Sequence, residues 1–174
     1  MRSQEEYVLR TVEERGIRFV QLWFTDVLGT PKTFSITPAE LENALDEGMT
    51  FDGSAVDGFS RVQESDVLAV PDPKTFQLLP YLEGGAPVAR VVCDIFNLDG
   101  TAFEGDPRHV LRRVLDQARD QGFSFYVAPE LEYFYFEPNP APGQPPQPLD
   151  KGSYFELMGN DRATALRRET VLST

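Results

Sequence analysis

The sequence is poor in cysteine, histidine, long apolar runs and cations, and each scarcity closes off a class of function. A single cysteine, Cys93, makes no internal disulfide, and its neighbours Val91, Val92 and Ile95 point to a buried strand, so redox chemistry is not expected. No apolar run approaches the roughly 18 residues of a membrane span. The opening Met1-Arg2-Ser3-Gln4-Glu5-Glu6 lacks the apolar core of a secretory signal, so a cytoplasmic protein with no membrane partner is expected. Lys and Arg number 16 against 28 Asp and Glu, and the net charge of -12 argues against nucleic acid, whose phosphates call for a cationic surface. The only histidine, His109, has no local partners for a metal site and reads as a surface residue.

What the chain does contain is the composition of a soluble globular protein: 174 residues, 41% hydrophobic and 25% charged, enough for one ordinary domain or two small ones. An acidic protein acting on anionic substrates, such as nucleotides or amino-acid carboxylates, must bring metal cations or placed arginines to them. Clustered carboxylates are therefore the feature to seek.

Ser3 and Glu6 have the spacing of a capping box, and Glu5 to Arg15 predicts a first helix closed by Gly16. Ile17 to Phe24 and Thr33 to Ile36 read as a hairpin around Thr25-Asp26-Val27-Leu28-Gly29. Thr37 as N-cap, Pro38 at the first helical position and Glu40 predict a helix over Pro38 to Glu47, ended by Gly48. Strands are expected at Val67 to Val70, Thr75 to Leu79 and Val88 to Ile95, with turns at Pro71-Asp72-Pro73 and Glu83 to Pro87. Strands around one packed helix make a small α+β domain. Asp106-Pro107 opens a further helix with Val110, Leu111, Val114, Leu115 and Ala118 on one face, and a second unit begins there. Phe123 to Val127 and Glu130 to Glu137 read as strands, and Glu137 to Pro148 as a proline-rich loop. Asp161 reads as the cap of a last helix that meets no stop signal, so the sequence is expected to break off inside a domain.

Two places carry candidate chemistry. In a strand, Glu130, Glu132, Phe134 and Phe136 share one face while Leu131, Tyr133, Tyr135 and Glu137 share the other. Carboxylates two apart, at roughly 6.5 to 7 Å between α-carbons, suit two adjacent divalent cations; the same spacing also fits a solvated strand end. Glycosidases draw their carboxylates from separate elements, which this spacing does not favour. The second place is the loop Met49 to Asp66. Gly53 and Gly58 free its backbone, and Phe51 and Phe59 would anchor it while Asp52 faces a cavity, either as a group that binds a cation and accepts a proton or as an ordinary capping aspartate.

The loop Phe51-Asp52-Gly53-Ser54-Ala55-Val56-Asp57-Gly58-Phe59, then Glu64-Ser65-Asp66, then Ala128-Pro129-Glu130-Leu131-Glu132 onward, together resemble in this order the glutamine synthetases of the bacterial and archaeal type. The resemblance runs from the hairpin at Ile17 through Thr25-Asp26 and Asp106-Pro107-Arg108 to Lys151-Gly152-Ser153-Tyr154-Phe155. It implies an α+β fold: an N-terminal helix over 1–14, a ubiquitin-like β-grasp domain over 15–100, and over 101–174 the beginning of a split-barrel catalytic domain. It implies Glu130 and Glu132 as ligands to two cations, Mg2+ or Mn2+, that anchor ATP and glutamate. Asp52 would bind ammonium and take its proton, Tyr154 would line the same small site, and Ser54 and Asp66 would support the loop. Stacked rings are implied, with the Asp52 loop donated to a neighbour's site. Ala55 stands where the family commonly has a second serine, which keeps open a relative that joins glutamate to another amine. Phe59 stands where some members have tryptophan. The remaining metal and phosphate ligands are expected beyond Thr174, so the chain alone is expected to be inactive, and a non-catalytic module of this fold is the third reading.

Overall fold

Every second side chain of the segment Phe19–Thr25 is buried, with Val20, Leu22 and Phe24 on the inward face, and this alternation builds the centre of a sheet. The computed structural model describes residues 2–57, 66–83, 85–138, 141–152 and 162–173. In chain order its elements are α1 (Arg2–Glu14), β1 (Phe19–Thr25), β2 (Pro31–Ile36), α2 (Pro38–Glu47), β3 (Met49–Asp52), α3 (Ser54–Asp57), β4 (Asp66–Glu83), β5 (Ala86–Asn97), α4 (Pro107–Asp120) and α5 (Arg162–Ser173).

Five strands form one mixed sheet in the order β2-β1-β5-β4-β3. β1 and β5 run parallel at its centre, Phe19 opposite Val88 and Trp23 opposite Val92, and the other pairs are antiparallel. The core lies on the face formed by Val20, Leu22, Ala89, Val91, Cys93, Ile95, Val67 and Ala69, under Val8 and Val12 of α1 and Leu41 and Ala44 of α2. This is the expected β-grasp arrangement. Cys93 is fully buried, and burial pushes its thiol far above the usual range.

α2 spans the residues its sequence specifies. The Glu40 carboxylate accepts from the Thr37 backbone N–H at 2.9 Å and from its hydroxyl at 3.0 Å, and Pro38 occupies the first turn. Gly48 ends it at φ 80°, where a Cβ would lie 2.8 Å from Leu68 Cγ, so both the backbone and the close strand demand glycine. At α1 the expected start is corrected: the helix begins at Arg2, which places Ser3 inside the first turn.

β4 also differs from expectation. In place of two strands separated by a turn at Pro71-Asp72-Pro73, one strand runs through, with a register shift between Asp72 and Gln77. The bulge leaves the Val92 N–H without a ladder partner, and the Thr75 hydroxyl replaces it, accepting from Val92 N at 2.7 Å while donating to the Asp72 carbonyl at 2.8 Å.

α4 packs on the other face of the sheet. The ladder between β1 and β5 stops at Val92, so farther along β5 the Ile95 backbone is open on that side. The Asp106 carboxylate accepts from Ile95 N at 2.9 Å, and the Ile95 carbonyl accepts from Phe103 N at 3.1 Å and from His109 Nε2 at 2.9 Å. His109 is thus not the surface residue expected from sequence; its ring also meets Phe96 edge-on at 4.8 Å.

Residues 126–174 form a second compact unit, separate from 1–125. The expected strands at Phe123 to Val127 and Glu130 to Glu137 are not found. Among the described residues this stretch makes only the bridge of Phe136 to Pro148, closed by Glu137 N to Gln147 O at 2.8 Å and Leu149 N to Tyr135 O at 2.9 Å. A ladder needs partner backbone groups, and only Gln147 to Leu149 supply them. The alternation survives without the ladder: the rings of Tyr133 and Tyr135 meet at 5.2 Å and those of Phe134 and Phe136 at 6.4 Å.

Candidate active site

Asp52 is the last residue of β3, and its position follows from the residue before it. Phe51 points to the core side, where its ring packs against Phe24 at 4.8 Å and Phe34 at 5.6 Å. The strand alternation then turns Asp52 to the opposite face, exposed, in register with Asp66 of β4. One Asp52 oxygen accepts from Ser54 N at 2.9 Å, at the start of α3. That N–H, and after it the Ser54 hydroxyl, hold the Asp52 carboxyl below the usual carboxylate range. Asp52 is thus bonded to Ser54 and faces Asp66 across the ladder.

A lowered pKa favours the charged form of Asp52, which attracts a cation at neutral pH. It also makes the carboxylate a weak base at rest, so it takes a proton only from a group that is itself becoming acidic.

Glu130 and Glu132 lie in the second compact unit, both exposed. Their oxygens are hard donors of the kind Mg2+ and Mn2+ take. Among the described residues no group of three His, Cys, Asp or Glu side chains is arranged to hold a metal ion. Leu131 is 81% exposed and Phe134 79%, an apolar surface on either side of the acids. Tyr154, Phe59 and Asp161 lie outside the described residues.

Sequence reasoning missed two arrangements. The first is a charged clamp. Arg108 Nε meets Asp94 at 2.8 Å, its terminal nitrogen meets Asp72 at 3.0 Å, and Arg112 meets the second oxygen of Asp94 at 3.0 Å. The available signal was Asp94 itself, an acid inside the apolar run of β5. Nearby Asp106, 2% exposed, caps α4 by accepting from Arg108 N at 2.9 Å. The second is the contact that the expected turn at Asp26 makes with α3: Val27 N donates to Val56 O at 3.0 Å.

The five-stranded sheet ends in Asp52 with its Ser54 cap, and the pair Glu130 and Glu132 follows in the second unit, which is the order of a two-domain scaffold. Residues 16–98 match the family model described as the glutamine synthetase β-grasp domain, and residues 104–174 match the glutamine synthetase catalytic domain. The chain belongs to the glutamine synthetase family. It is 53% identical over 173 residues to the glutamine synthetase of Mycolicibacterium smegmatis, an alignment covering 98% of this chain and 39% of that protein. To the glutamine synthetase of Halobacterium salinarum it is 43% identical over 172 residues, 98% of this chain and 38% of the relative. The chain therefore spans about two fifths of the length of these relatives. Among solved structures, a GmaS/ADP complex superposes with a TM-score of 0.57 at 27% identity over 66% of this chain and 26% of its own. The glutamine synthetase of Plasmodium falciparum superposes at 0.58 and 24% identity over 69% of this chain and 22% of its own, a likeness of fold.

Proposed function

We propose that this chain is the amino-terminal part of a glutamine synthetase, which joins ammonia to the side-chain carboxylate of glutamate at the expense of ATP. The observation that carries the reading is the unbroken succession of two glutamine synthetase matches, with Asp52 in the first and Glu130 and Glu132 in the second. In this reading residues 1–14 are an N-terminal helix, 15–100 the β-grasp domain and 101–174 the start of the catalytic domain. The protein is cytoplasmic and assembles into stacked rings, so that the Asp52 loop serves a neighbour's site while Glu130 and Glu132 serve their own.

The chemistry follows from charge. The glutamate side-chain carboxylate attacks the γ-phosphorus of ATP, ADP departs, and the acyl phosphate that forms has a carbon open to attack. Glu130 and Glu132 would each hold a divalent cation, Mg2+ or Mn2+, and bound there the cations offset the negative charge of the phosphate oxygens. Asp52, charged at neutral pH, draws ammonium to the loop, with Tyr154 lining the same pocket. Ammonium has no free electron pair, so it gives one proton to Asp52 as its nitrogen, thus freed, attacks the acyl carbon; once the C–N bond has formed, the nitrogen sheds a second proton to solvent. Phosphate then leaves, and the amide remains.

Ala55 supports a second reading. It is exposed, one residue beyond the Ser54 whose N–H bonds Asp52, and it offers a methyl where a hydroxyl would bond a small cation. A ligase with a larger amine substrate would fit that loop. Phosphate release by a chain of the relatives' full length, measured with glutamate and ATP across ammonium and polyamines, separates the two: a response to ammonium supports glutamine synthetase, and a response to polyamines alone overturns it.

A further inference from the structure

The loop that carries Asp52 is held from outside, by the hairpin between β1 and β2. Phe24 and Phe34, on the two strands of that hairpin, sandwich the aromatic contacts of Phe51. At the hairpin's tip, Val27 N donates to the carbonyl of Val56 at 3.0 Å. Val56 is itself fully buried, and its own N–H donates to Gly53 O at 3.0 Å, so the bond from Val27 reaches the turn that begins at Asp52.

What keeps the Val27 N–H aimed at α3 is the conformation of the tip, and Asp26 sets it. Asp26 is 4% exposed, and one of its oxygens accepts from Leu28 N at 3.0 Å and from Thr30 N at 2.8 Å. Its backbone closes the same turn, with Asp26 N to Thr30 O at 3.0 Å and Gly29 N to Asp26 O at 2.9 Å, and Lys32 lies 3.5 Å from the second carboxylate oxygen. Chiefly through the Thr30 N–H, its carboxyl is held below the usual range. A buried charge spent on a surface turn is costly unless the shape of that turn matters.

We infer that Asp26 is a positioning residue for Asp52: it fixes the hairpin tip whose Val27 N–H pins α3, and with it the orientation of the amine-binding carboxylate. The role rests on the proposed function for its kinetic consequence and on the geometry alone for its structural one. Asp26→Ala removes the oxygen that accepts from both Leu28 N and Thr30 N; Asp26→Asn keeps one oxygen that can accept.

The test has two arms. In this chain, amide exchange is followed at Ser54, whose N–H Asp52 caps, in the wild type, Asp26→Ala, Asp26→Asn and Asp99→Ala. Asp99 supports a similar turn, accepting from Thr101 N at 2.9 Å, but shares no contact with α3. Asp26→Ala should speed exchange at Ser54 by about tenfold while leaving the core strand amides unchanged, Asp26→Asn should restore part of the protection, and Asp99→Ala should leave Ser54 as it is. Equal acceleration at Ser54 and at the core strands, or none at Ser54, overturns the positioning role. In a chain of the relatives' full length, Asp26→Ala should raise the KM for ammonium by about tenfold with little change in the KM for ATP, and Asp26→Asn should recover part of it. Equal rises in both overturn the role. A wild type without any ammonium response refutes the proposed function instead, and leaves the exchange arm to decide the inference.

Discussion

Asp52 stands directly opposite Asp66 across the antiparallel pairing of β3 and β4, so two carboxylates share one face at the end of that ladder. Like charges placed so oppose one another, and the Ser54 N–H is the donor that offsets the repulsion at Asp52. The arrangement concentrates negative charge at the end of the ladder, where the proposed function would hold a small cation.

Replacing Asp52 by Asn removes that charge and the proton acceptor while preserving the side chain's shape. In a chain of the relatives' full length, Asp52→Asn should lower kcat with ammonium by about 100-fold or more, with the KM for ATP near the wild-type value. Steady-state kinetics with ammonium as the varied substrate reads this out, and wild-type turnover would remove Asp52 from the site.

Glu132→Gln keeps the size of the side chain and loses the anionic oxygen that a divalent cation needs. Turnover should fall by more than about 100-fold, the upper loss seen when only a supporting group of a metal site is removed. Calorimetric titration with Mn2+ should show weakened binding in the same variant. Near-normal activity would refute the metal role.

Arg108 joins Asp94 and Asp72 while Arg112 meets Asp94 from the same helix, so the attachment of α4 to the sheet is largely electrostatic. Arg108→Met retains much of the stem but removes the hydrogen-bonded charge, and should cost about 2 kcal/mol in chemical denaturation. Raising the salt concentration should narrow the difference between variant and wild type, since the pairs are partly open to solvent. A variant as stable as the wild type at low salt would show that the clamp contributes nothing.

Among the described residues four carboxyls titrate below their usual range: Asp26 through Thr30 N–H, Glu40 through Thr37 N–H, Asp52 through Ser54 N–H and Asp99 through the Thr101 hydroxyl. Each binds protons less readily folded than unfolded, so each stabilises the fold fully above the unfolded carboxyl value of about 4 and ceases to do so as the pH falls through its lower folded value. The melting temperature should therefore be level from neutral pH to about pH 5 and fall below it. In Asp26→Asn the acid-side fall should be shallower, and an unchanged slope in that variant would show that Asp26 gains nothing from its turn.

How far the sequence could be read depended on where each residue's partners lie. α2 was legible to the residue because Thr37, Pro38, Glu40 and Gly48 act within one turn of themselves. Pro71 and Pro73 were read as a turn because their local chemistry favours one, but pairing with β5 continued the strand through Pro71 and absorbed Pro73 in a bulge, where Thr75 bonds Val92, 17 residues away. At Glu130 to Glu137 the alternation was real, as the paired rings show, but the ladder partners that make alternation into a strand are not local. His109 was misread for the same reason, since the Ile95 carbonyl that binds it belongs to β5. At the candidate site, Phe51 as anchor could be seen in the loop's composition, whereas Asp52, expected to face a cavity, stands exposed at the end of β3. The bond from Val27 to Val56 could not, because no local pattern links a hairpin tip to a helix 29 residues later.

The most direct test of the proposed reaction follows one oxygen atom. A chain of the relatives' full length is supplied with ATP, ammonium and glutamate labelled with 18O in its side-chain carboxylate, and the released phosphate is analysed by mass spectrometry. If the carboxylate attacks the γ-phosphorus and ammonia then displaces phosphate from carbon, the phosphate carries an oxygen from glutamate and the amide nitrogen comes from ammonium. Phosphate released without the label would contradict the acyl-phosphate route, and with it the glutamine synthetase reading of this chain.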